Sequence, residues 1–394
     1  MRILFTSHPG FGHFHPLVPV ARALAQAGHE VAFATAASFQ QVIVDNGFRC
    51  FAAGTDWQTA SEGGLLEAQK RHQAAAADPQ AQLRMMAEMI VGRLGRRMLP
   101  DLIPVCREFA PDLVLRDSIE FAGCVAAEHL GIPHASVQVG AGRPSTLMSA
   151  ELGGKIAELR ALVGLGPDPQ MLYRYLHLAF VPPSYQADGD LPPTVHFFRP
   201  ALFDQSGSEG LPDWAAQLGR RPVVYATLGT VFNKVFHPFK TILEGLREEP
   251  IDLVVTVGRD IDPAQLGPQP AHIHVERYIP QTLIFPKCDA AILHGGFNSV
   301  LSALCHGLPL LVIPLAADQP MNAERCRQLG VGQVLPPGEL TPDKVRDAVR
   351  ALLKDPSYRH NAQRLQAEAE ALPGLDQAVA RIARLGETRQ PQTR

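Results

Sequence analysis

No excess of positive charge marks this chain: 36 Lys and Arg stand against 39 Asp and Glu, a formal net charge of −3 at pH 7. A nucleic acid or an anionic membrane surface therefore finds no basic stripe to hold it. Cysteine is scarce, with Cys50, Cys106, Cys124, Cys288, Cys305 and Cys326 scattered and no pair in CxxC spacing. That argues against a disulfide framework or a zinc ribbon and for buried thiols in a reducing compartment. No apolar run approaches the roughly 20 residues that cross a bilayer, so stable membrane insertion is not expected. Residues 2–6 already form an apolar strand with no basic, small-residue leader before them, and a cytoplasmic location is the expectation. Gly10 and Gly12 are spaced as in a dinucleotide-binding turn, but His15 stands where the third glycine belongs. A Rossmann oxidoreductase is thereby disfavoured. The triplet Asp188-Gly189-Asp190 lies among prolines, away from any glycine–helix turn, and does not read as a metal site. His8, His13 and His15 share one loop without an acidic or cysteine companion, so no metal is expected there either. There is no internal sequence repeat.

What is present suits a normal globular protein: 394 residues, 46% hydrophobic and 19% charged, enough for two domains of about 200 residues. Residues 289–319, DAAILHGGFNSVLSALCHGLPLLVIPLAADQ, read as strand, glycine turn, helix, strand and loop. Gly295 and Gly296 allow a sharp turn, Asn298 and Ser299 are good helix caps, and Gly307 supplies a left-handed stop near His306. A helix that starts where a strand ends aims free N–H groups and the positive end of its dipole at one point. His294 closes the strand beside that point. Asp318 and Gln319 follow the next strand, on the same rim of a parallel sheet, where ligands of such sheets bind. A phosphate site and a polar pair suited to hydroxyl groups thus converge, and a sugar diphosphate is the inferred ligand. The same grammar is common in α/β proteins, and His294 could equally cap a turn.

The amino-terminal half opens with a strand at 2–6, the loop SHPGFGHFHP, a helix expected over about 16–27 and a second strand at 30–34. His13 lies at the carboxyl end of the first strand. It either caps the helix or takes a proton near neutral pH. The strand PDLVLR at 111–116 delivers Asp117 to the same rim, as a cap for a helix at 121–130 or as the carboxylate that orients a histidine. Residues 56–107 are Ala-, Gln- and Met-rich and helical in pattern. Met85 and Met89 there line either an adaptable apolar pocket or plain core. The run GRLGRR at 92–97 reads as a solvated face. Residues 204–221 are polar and glycine-bearing and serve as the expected linker. A second α/β series follows, with a strand at 222–228 ending in Gly229 and Thr230, and with Tyr278-Ile279-Pro280-Gln281 before the 289–319 unit. A last amphipathic helix, at about 375–385, precedes a polar tail expected to be disordered.

Together these residues resemble the bacterial branch of the family 1 glycosyltransferases of GT-B fold, which attach sugars from nucleotide donors to natural products such as polyketides and macrolides. GHFHP at 12–16 is similar to that family's GHxxP element, ATLGT at 226–230 to its S-x-G-T strand end, and RYIPQ at 277–281 to its aromatic-x-Pro-Gln turn. HGGFNS…P…ADQ is similar to its donor signature. The likeness spans essentially the whole chain. It implies an α/β GT-B fold, with two Rossmann-like domains facing each other across a cleft and the final helix returning to the first. The boundaries then fall at 1–203 for the acceptor domain, 204–221 for the linker, 222–373 for the donor domain and 374–388 for the returning helix.

The resemblance further implies His13 as general base with Asp117 orienting it, Tyr278 stacked on the donor base and the Ile279 backbone reading its edge. Thr230, His294, Gly296 and Ser299 would hold the diphosphate, with Gly229, Gln281, Gly295 and Asn298 completing the donor site. Asp318 and Gln319 would bind the sugar hydroxyls, and Phe11, Met85 and Met89 would meet the acceptor. Two positions depart from the family. Ser302 stands where plant relatives carry the glutamate that binds ribose hydroxyls, which suits a thymidine diphosphate donor. Asn298 stands where many bacterial members have glycine. The implied reaction is a single displacement with inversion, without metal or other cofactor. The co-substrate is a nucleotide diphosphate sugar and the acceptor a hydrophobic aglycone, on a monomer or homodimer. A nucleotide-sugar 2-epimerase and a catalytically silent partner protein are the alternatives.

Overall fold

A computed structural model describes residues 1–57, 79–140, 150–168, 170–186, 191–204, 210–229, 236–258 and 261–394. The chain divides into two compact units, Met1–Phe203 with Leu372–Arg394, and Asp204–Ala371.

The first unit is built on seven strands: β1 (Arg2–Thr6), β2 (Glu30–Thr35), β3 (Arg49–Ala52), β4 (Leu113–Asp117), β5 (His134–Val137), β6 (Leu176–Ala179) and β7 (Val195–Phe197). They pair in parallel in the order β3-β2-β1-β4-β5-β6-β7. Helices cover both faces of such a sheet, so its central strands carry apolar runs rather than alternation. Ile3, Leu4, Phe5, Leu113, Val114 and Leu115 are accordingly sealed from solvent. The closing helix Leu375–Thr388 buries Ala378, Ile382 and Leu385 in this unit's core, against Val18, Ala21 and Leu24 of the helix Val18–Gln26. Spacings of four and three residues place those three side chains on one helix face.

Several sequence expectations change in detail. Pro16 does not start a helix. The histidine loop itself winds into one turn, Phe11–Phe14, and the longer helix begins at Val18 with Pro19 in its first turn, where a missing N–H costs little. The Met-rich stretch, as far as it is described, runs from the helix Pro79–Met86 into a wider π-helical segment, Ala87–Gly95, and on into Arg96–Phe109. Within GRLGRR only Arg96 and Arg97 are exposed; Leu94 and Gly95 are buried. The tail is not loose either. Gln392 donates its N–H to the Tyr175 carbonyl at 2.8 Å and accepts from His196 Nε2 at 2.8 Å, while Arg394 N–H reaches the Pro193 carbonyl at 2.9 Å.

The second unit has six parallel strands: β8 (Val223–Thr227), β9 (Asp252–Thr256), β10 (Ile273–Glu276), β11 (Ala290–Leu293), β12 (Leu310–Val312) and β13 (Gly332–Val334). Their order is β10-β9-β8-β11-β12-β13. The helix Phe236–Leu246 packs Phe239, Ile242 and Leu246 on this sheet beside Val345, Val349 and Leu352 of the helix Pro342–Lys354, which Thr341 caps by accepting Lys344 N–H. The expected linker, at its described residues, belongs to this unit. Trp214 stacks flat on His274 with ring centroids 3.8 Å apart and donates Nε1–H to Glu276, covering the edge strand β10. Its residues 205–209, like the Asp188-Gly189-Asp190 triplet and Thr230, lie outside the described residues.

In both sheets the strand order reverses at one place, between β1 and β4 in the first unit and between β8 and β11 in the second. Crevices at the carboxyl ends of such strand pairs are where open α/β sheets bind ligands.

Candidate active site

At the first reversal, β4 ends on Asp117 and the loop after β1 carries His8 and His13. Asp117 is fully buried and its two oxygens do different work. Oδ1 accepts the N–H groups of Ile119 and Glu120, both at 2.8 Å, and so caps the turn before the helix Ala122–Leu130. Oδ2 faces His13 Nδ1 at 3.1 Å and accepts the His8 N–H at 3.1 Å. One oxygen thus bonds the turn and the other the two histidines. Burial alone would push this carboxyl up, but the charge and hydrogen bond of His13, helped by His8, hold it down at about 2. His13 remains 18% exposed, and because Nδ1 is turned to the carboxylate, Nε2 is the nitrogen on the outward edge of the ring.

Two neighbours shape this corner. Burial lowers His8 to about 4, with His13 adding to the shift and Asp117 opposing it, so His8 is neutral at physiological pH. Trp57 lies at a 30° tilt to His13 with centroids 5.4 Å apart, and its Nε1–H is fixed on the Pro9 carbonyl at 2.8 Å. Nothing in the sequence around Trp57 pointed to that placement, since the contact is made across 44 residues and two strands. Phe11 packs edge-on against Phe39 at 5.4 Å, and Met85 and Met89 are half-buried on the Met-rich helix.

At the second reversal, β8 leads to Gly229 and β11 to His294. A Cβ at Gly229 would fall 2.6 Å from His294 Nε2, and one at Gly296 would fall 2.5 Å from the same atom. The two glycines therefore make the slot in which the imidazole stands. Burial lowers His294 to about 4, so the ring is neutral, and its Nδ1 has no partner among the described residues. Gly295 (φ +88) turns the chain, and the helix Phe297–Cys305 starts with Gly296, not Asn298 or Ser299, at the cap position. Phe297 is buried at the first position, which draws the helix start forward. Gly296 brings no side chain of its own to cap this end, and the dipole of the first turn faces the His294 corner.

The remaining expected donor residues gather around the same strand ends. Gln281 donates from Nε2 to Ser299 Oγ at 3.1 Å. Tyr278 donates its hydroxyl to the Asp204 carbonyl, and Ile279 behind it is buried. Gln319 is 3% exposed, and its carbonyl oxygen accepts the N–H groups of Leu315 at 2.7 Å and Ala316 at 2.9 Å. That oxygen is committed to the loop, and the amide nitrogen takes no part in those two bonds. Asn322, fully buried and absent from the sequence reading, donates to the Gly295 carbonyl at 2.7 Å and to Asp318 Oδ2 at 2.9 Å. It ties the glycine turn to the loop that carries Asp318. Its position one helical turn after Asp318 is the signal that could have found it. Ser302 is 5% exposed and its hydroxyl has no partner among the described residues. No group of three or more His, Cys, Asp or Glu side chains among the described residues could hold a metal ion.

Two parallel Rossmann-like sheets, each with its polar residues at the strand reversal, are the two halves of the GT-B fold. The comparisons with known proteins say the same. Models of the erythromycin biosynthesis protein CIII-like family match residues 22–161 with its N-terminal domain and 241–385 with its C-terminal domain. L-demethylnoviosyl transferase of Streptomyces niveus is 30% identical, with 95% of each chain covered. 10-Deoxymethynolide desosaminyltransferase of Streptomyces venezuelae is 29% identical over 98% of this chain and 97% of its own. Among solved structures, the glycosyltransferase VinC in complex with dTDP superposes with a TM-score of 0.78 at 27% identity, covering 98% of this chain and all of its own. The chain belongs to the erythromycin biosynthesis protein CIII-like family of natural-product glycosyltransferases.

Proposed function

We propose that this enzyme moves a sugar from a thymidine diphosphate donor to a hydroxyl group of a hydrophobic, polyketide-type acceptor, with inversion and without a metal ion. The observation that carries the reading is the His13–Asp117 pair, 3.1 Å apart at a strand reversal, with a buried carboxylate that keeps its charge. His13 Nε2 takes the proton of the acceptor hydroxyl while its oxygen attacks the anomeric carbon from the face opposite the diphosphate. Asp117 holds the imidazole in the tautomer that has its lone pair on Nε2 and stabilises the imidazolium that results. The C–O bond to the diphosphate breaks as the new glycosidic bond forms, so an α-linked donor gives a β-linked product.

Charge gathering on the leaving diphosphate is met by the amino end of the helix that starts at Gly296 and by His294, donors fixed before the reaction begins. A neutral His294 contributes a hydrogen bond, and an arriving dianion draws its proton affinity up. Tyr278 takes the base, with Asp318 and the amide nitrogen of Gln319 on the sugar hydroxyls. The relatives' names support a natural-product acceptor, and the dTDP complex of VinC supports the donor. Ser302 points the same way, because one buried hydroxyl cannot clasp two ribose hydroxyls as a carboxylate does.

The test is an array of dTDP- and UDP-sugars against macrolactone, anthracycline and phenolic aglycones, read by mass spectrometry with and without excess EDTA. Glycosylated product from dTDP donors, undiminished by EDTA, is the expected result. Preference for UDP donors, or loss of activity in EDTA, overturns the corresponding part of the proposal. Donor epimerised in the absence of any acceptor overturns the transfer reading itself.

A further inference from the structure

Directly behind the His13–Asp117 pair lies a guanidinium that none of the chemistry above uses. Arg116 is the last strand residue before Asp117, so its side chain leaves the opposite face of the sheet. It is 1% exposed, the largest fully buried side chain of the molecule's described residues. No carboxylate among those residues comes within 4.0 Å of it. Instead Nη1 donates to three carbonyls of the turn, Asp117 at 3.0 Å, Ser118 at 2.7 Å and Glu120 at 3.1 Å, and Nη2 reaches the Leu172 carbonyl at 3.4 Å. Its Nε–H has no partner among the described residues. Burying a guanidinium on neutral oxygens alone is unfavourable, so stability does not explain the residue.

Geometry does offer an explanation. The Ser118 carbonyl drawn toward Arg116 leaves the N–H at the other end of its peptide group, that of Ile119, facing the other way, where it meets Asp117 Oδ1 at 2.8 Å; the Glu120 N–H shares a peptide group with the Ile119 carbonyl, which His8 Nε2 holds at 3.2 Å. We propose that Arg116 is a positioning residue for the His13–Asp117 pair: by gathering the carbonyls of Asp117, Ser118 and Glu120 it fixes the turn, above all the Ser118–Ile119 peptide group whose N–H holds the Asp117 carboxylate, and through that carboxylate the His13 ring. The catalytic consequence rests on the reading of His13 as the base; the structural consequence for the turn does not. The second carboxyl in the neighbourhood keeps clear of the guanidinium. Glu120 turns its side chain to the Thr6 hydroxyl and to the Gly123 N–H at 3.0 Å, in a space that only a glycine at 123 leaves open. Around Arg116 the other titratable groups, His134, His177 and Tyr173, are held neutral by burial, with its charge adding to the shift in the first two.

The test uses the full-length enzyme with Arg116→Met and Arg116→Lys, compared with Ile382→Ala, which empties core space in the closing helix and leaves the turn alone. Turnover is followed with dTDP-glucose and the polyphenol phloretin, per folded molecule, alongside amide hydrogen exchange at Ile119 and Glu120 and carbon NMR of the Asp117 carboxyl. Arg116→Met is expected to lower kcat about 10–100-fold with little change in donor KM, to lose exchange protection at Ile119 more than at Glu120, and to raise the titration of Asp117 from about 2. Arg116→Lys keeps the charge but not the fork and should restore protection and turnover only in part. Should Arg116→Met fail to fold, Arg116→Lys carries the same readouts. Unchanged protection and Asp117 titration in a folded variant overturn the proposal, as does a loss of turnover no larger than that of Ile382→Ala. If His13→Ala keeps full turnover while the Arg116 variants still loosen the turn, the base assignment fails and the positioning of Asp117 stands.

Discussion

Asp117 shows how one side chain serves folding and chemistry together, and the substitution Asp117→Asn separates the two. An asparagine oxygen can still accept from Ile119 and Glu120, but its NH₂ group would then face the His8 N–H and His13 Nδ1. Donor meets donor, and the imidazole must present its lone pair inward and its proton outward, the wrong tautomer for a base. Turnover is expected to fall about 10²–10⁴-fold in a variant that still folds. His13→Ala should lose a similar factor while calorimetry shows unchanged dTDP affinity. Near-normal turnover in either variant removes the pair from the proton transfer. The glycines answer to a different test. Gly296→Ala puts a methyl carbon 2.5 Å from His294 Nε2, far inside contact distance, so the ring must move. The expected cost is about 1–3 kcal/mol of stability together with dTDP binding weakened about tenfold or more. A calorimetric Kd for dTDP within twofold of the native protein's would show that His294 plays no part in holding the diphosphate. Gly229 and Gly296 were legible as turn residues, but that both exist to admit one imidazole required the third dimension.

At the scale of elements, the loop after β12 carries the sugar-binding assignment and also the clearest division of labour. Gln319 opens the helix Gln319–Gln328 while its carbonyl oxygen reaches back to pin Leu315 and Ala316, and Ala317, inside the loop so closed, has φ +56, a conformation uncommon for a residue with a Cβ. Gln319→Glu keeps an oxygen for both N–H groups and removes the amide donor. If that donor meets a sugar hydroxyl, donor KM should rise about tenfold with thermal stability nearly unchanged. Gln319→Ala instead strands two buried N–H groups and should cost about 1–3 kcal/mol by chemical denaturation. Equal donor KM for Gln319→Glu and the native protein would confine the residue to holding the loop. Element identities were readable because strands such as AAIL and LVL are bounded by Gly, Pro and Asp. Helix starts were less so: Phe297 and Val18 begin their helices because of what they bury, information a local capping pattern does not contain. The π-helical winding of Ala87–Gly95 has no local code at all, and the carboxyl tail reads as polar and loose because its partners, Tyr175, Pro193 and His196, are about 200 residues away.

For the molecule as a whole, buried titratable groups set opposing dependences of stability on pH. Burial holds His8 and His294 at about 4 and, with Arg116 adding, His177 at about 3, all below the ordinary 6.5. Below pH 6.5 the unfolded chain therefore binds protons that the folded chain refuses, and stability falls with pH through that window in both units. Glu120 runs the other way. Burial first, then the charge of Asp117, raises its carboxyl from 4.5 to about 7 against the opposing bonds from Thr6 and Gly123. Between those two values the folded protein keeps a proton that the unfolded chain has released, so this group's contribution shrinks as pH rises, by an amount on the order of 3 kcal/mol. Between pH 4.5 and 6.5 the slopes partly cancel, and the first unit, which holds Glu120, His8 and His177, should lose stability less steeply there than its histidines alone would give. Glu120→Gln removes one arm of that balance. Measured by urea denaturation, the variant should gain stability relative to the native protein as pH is raised from 4.5 toward 7 and hold the gain above it. A constant difference between the two proteins across that range would mean that Glu120 is ionised throughout, and that the interior behind Asp117 is more hospitable to charge than its burial implies.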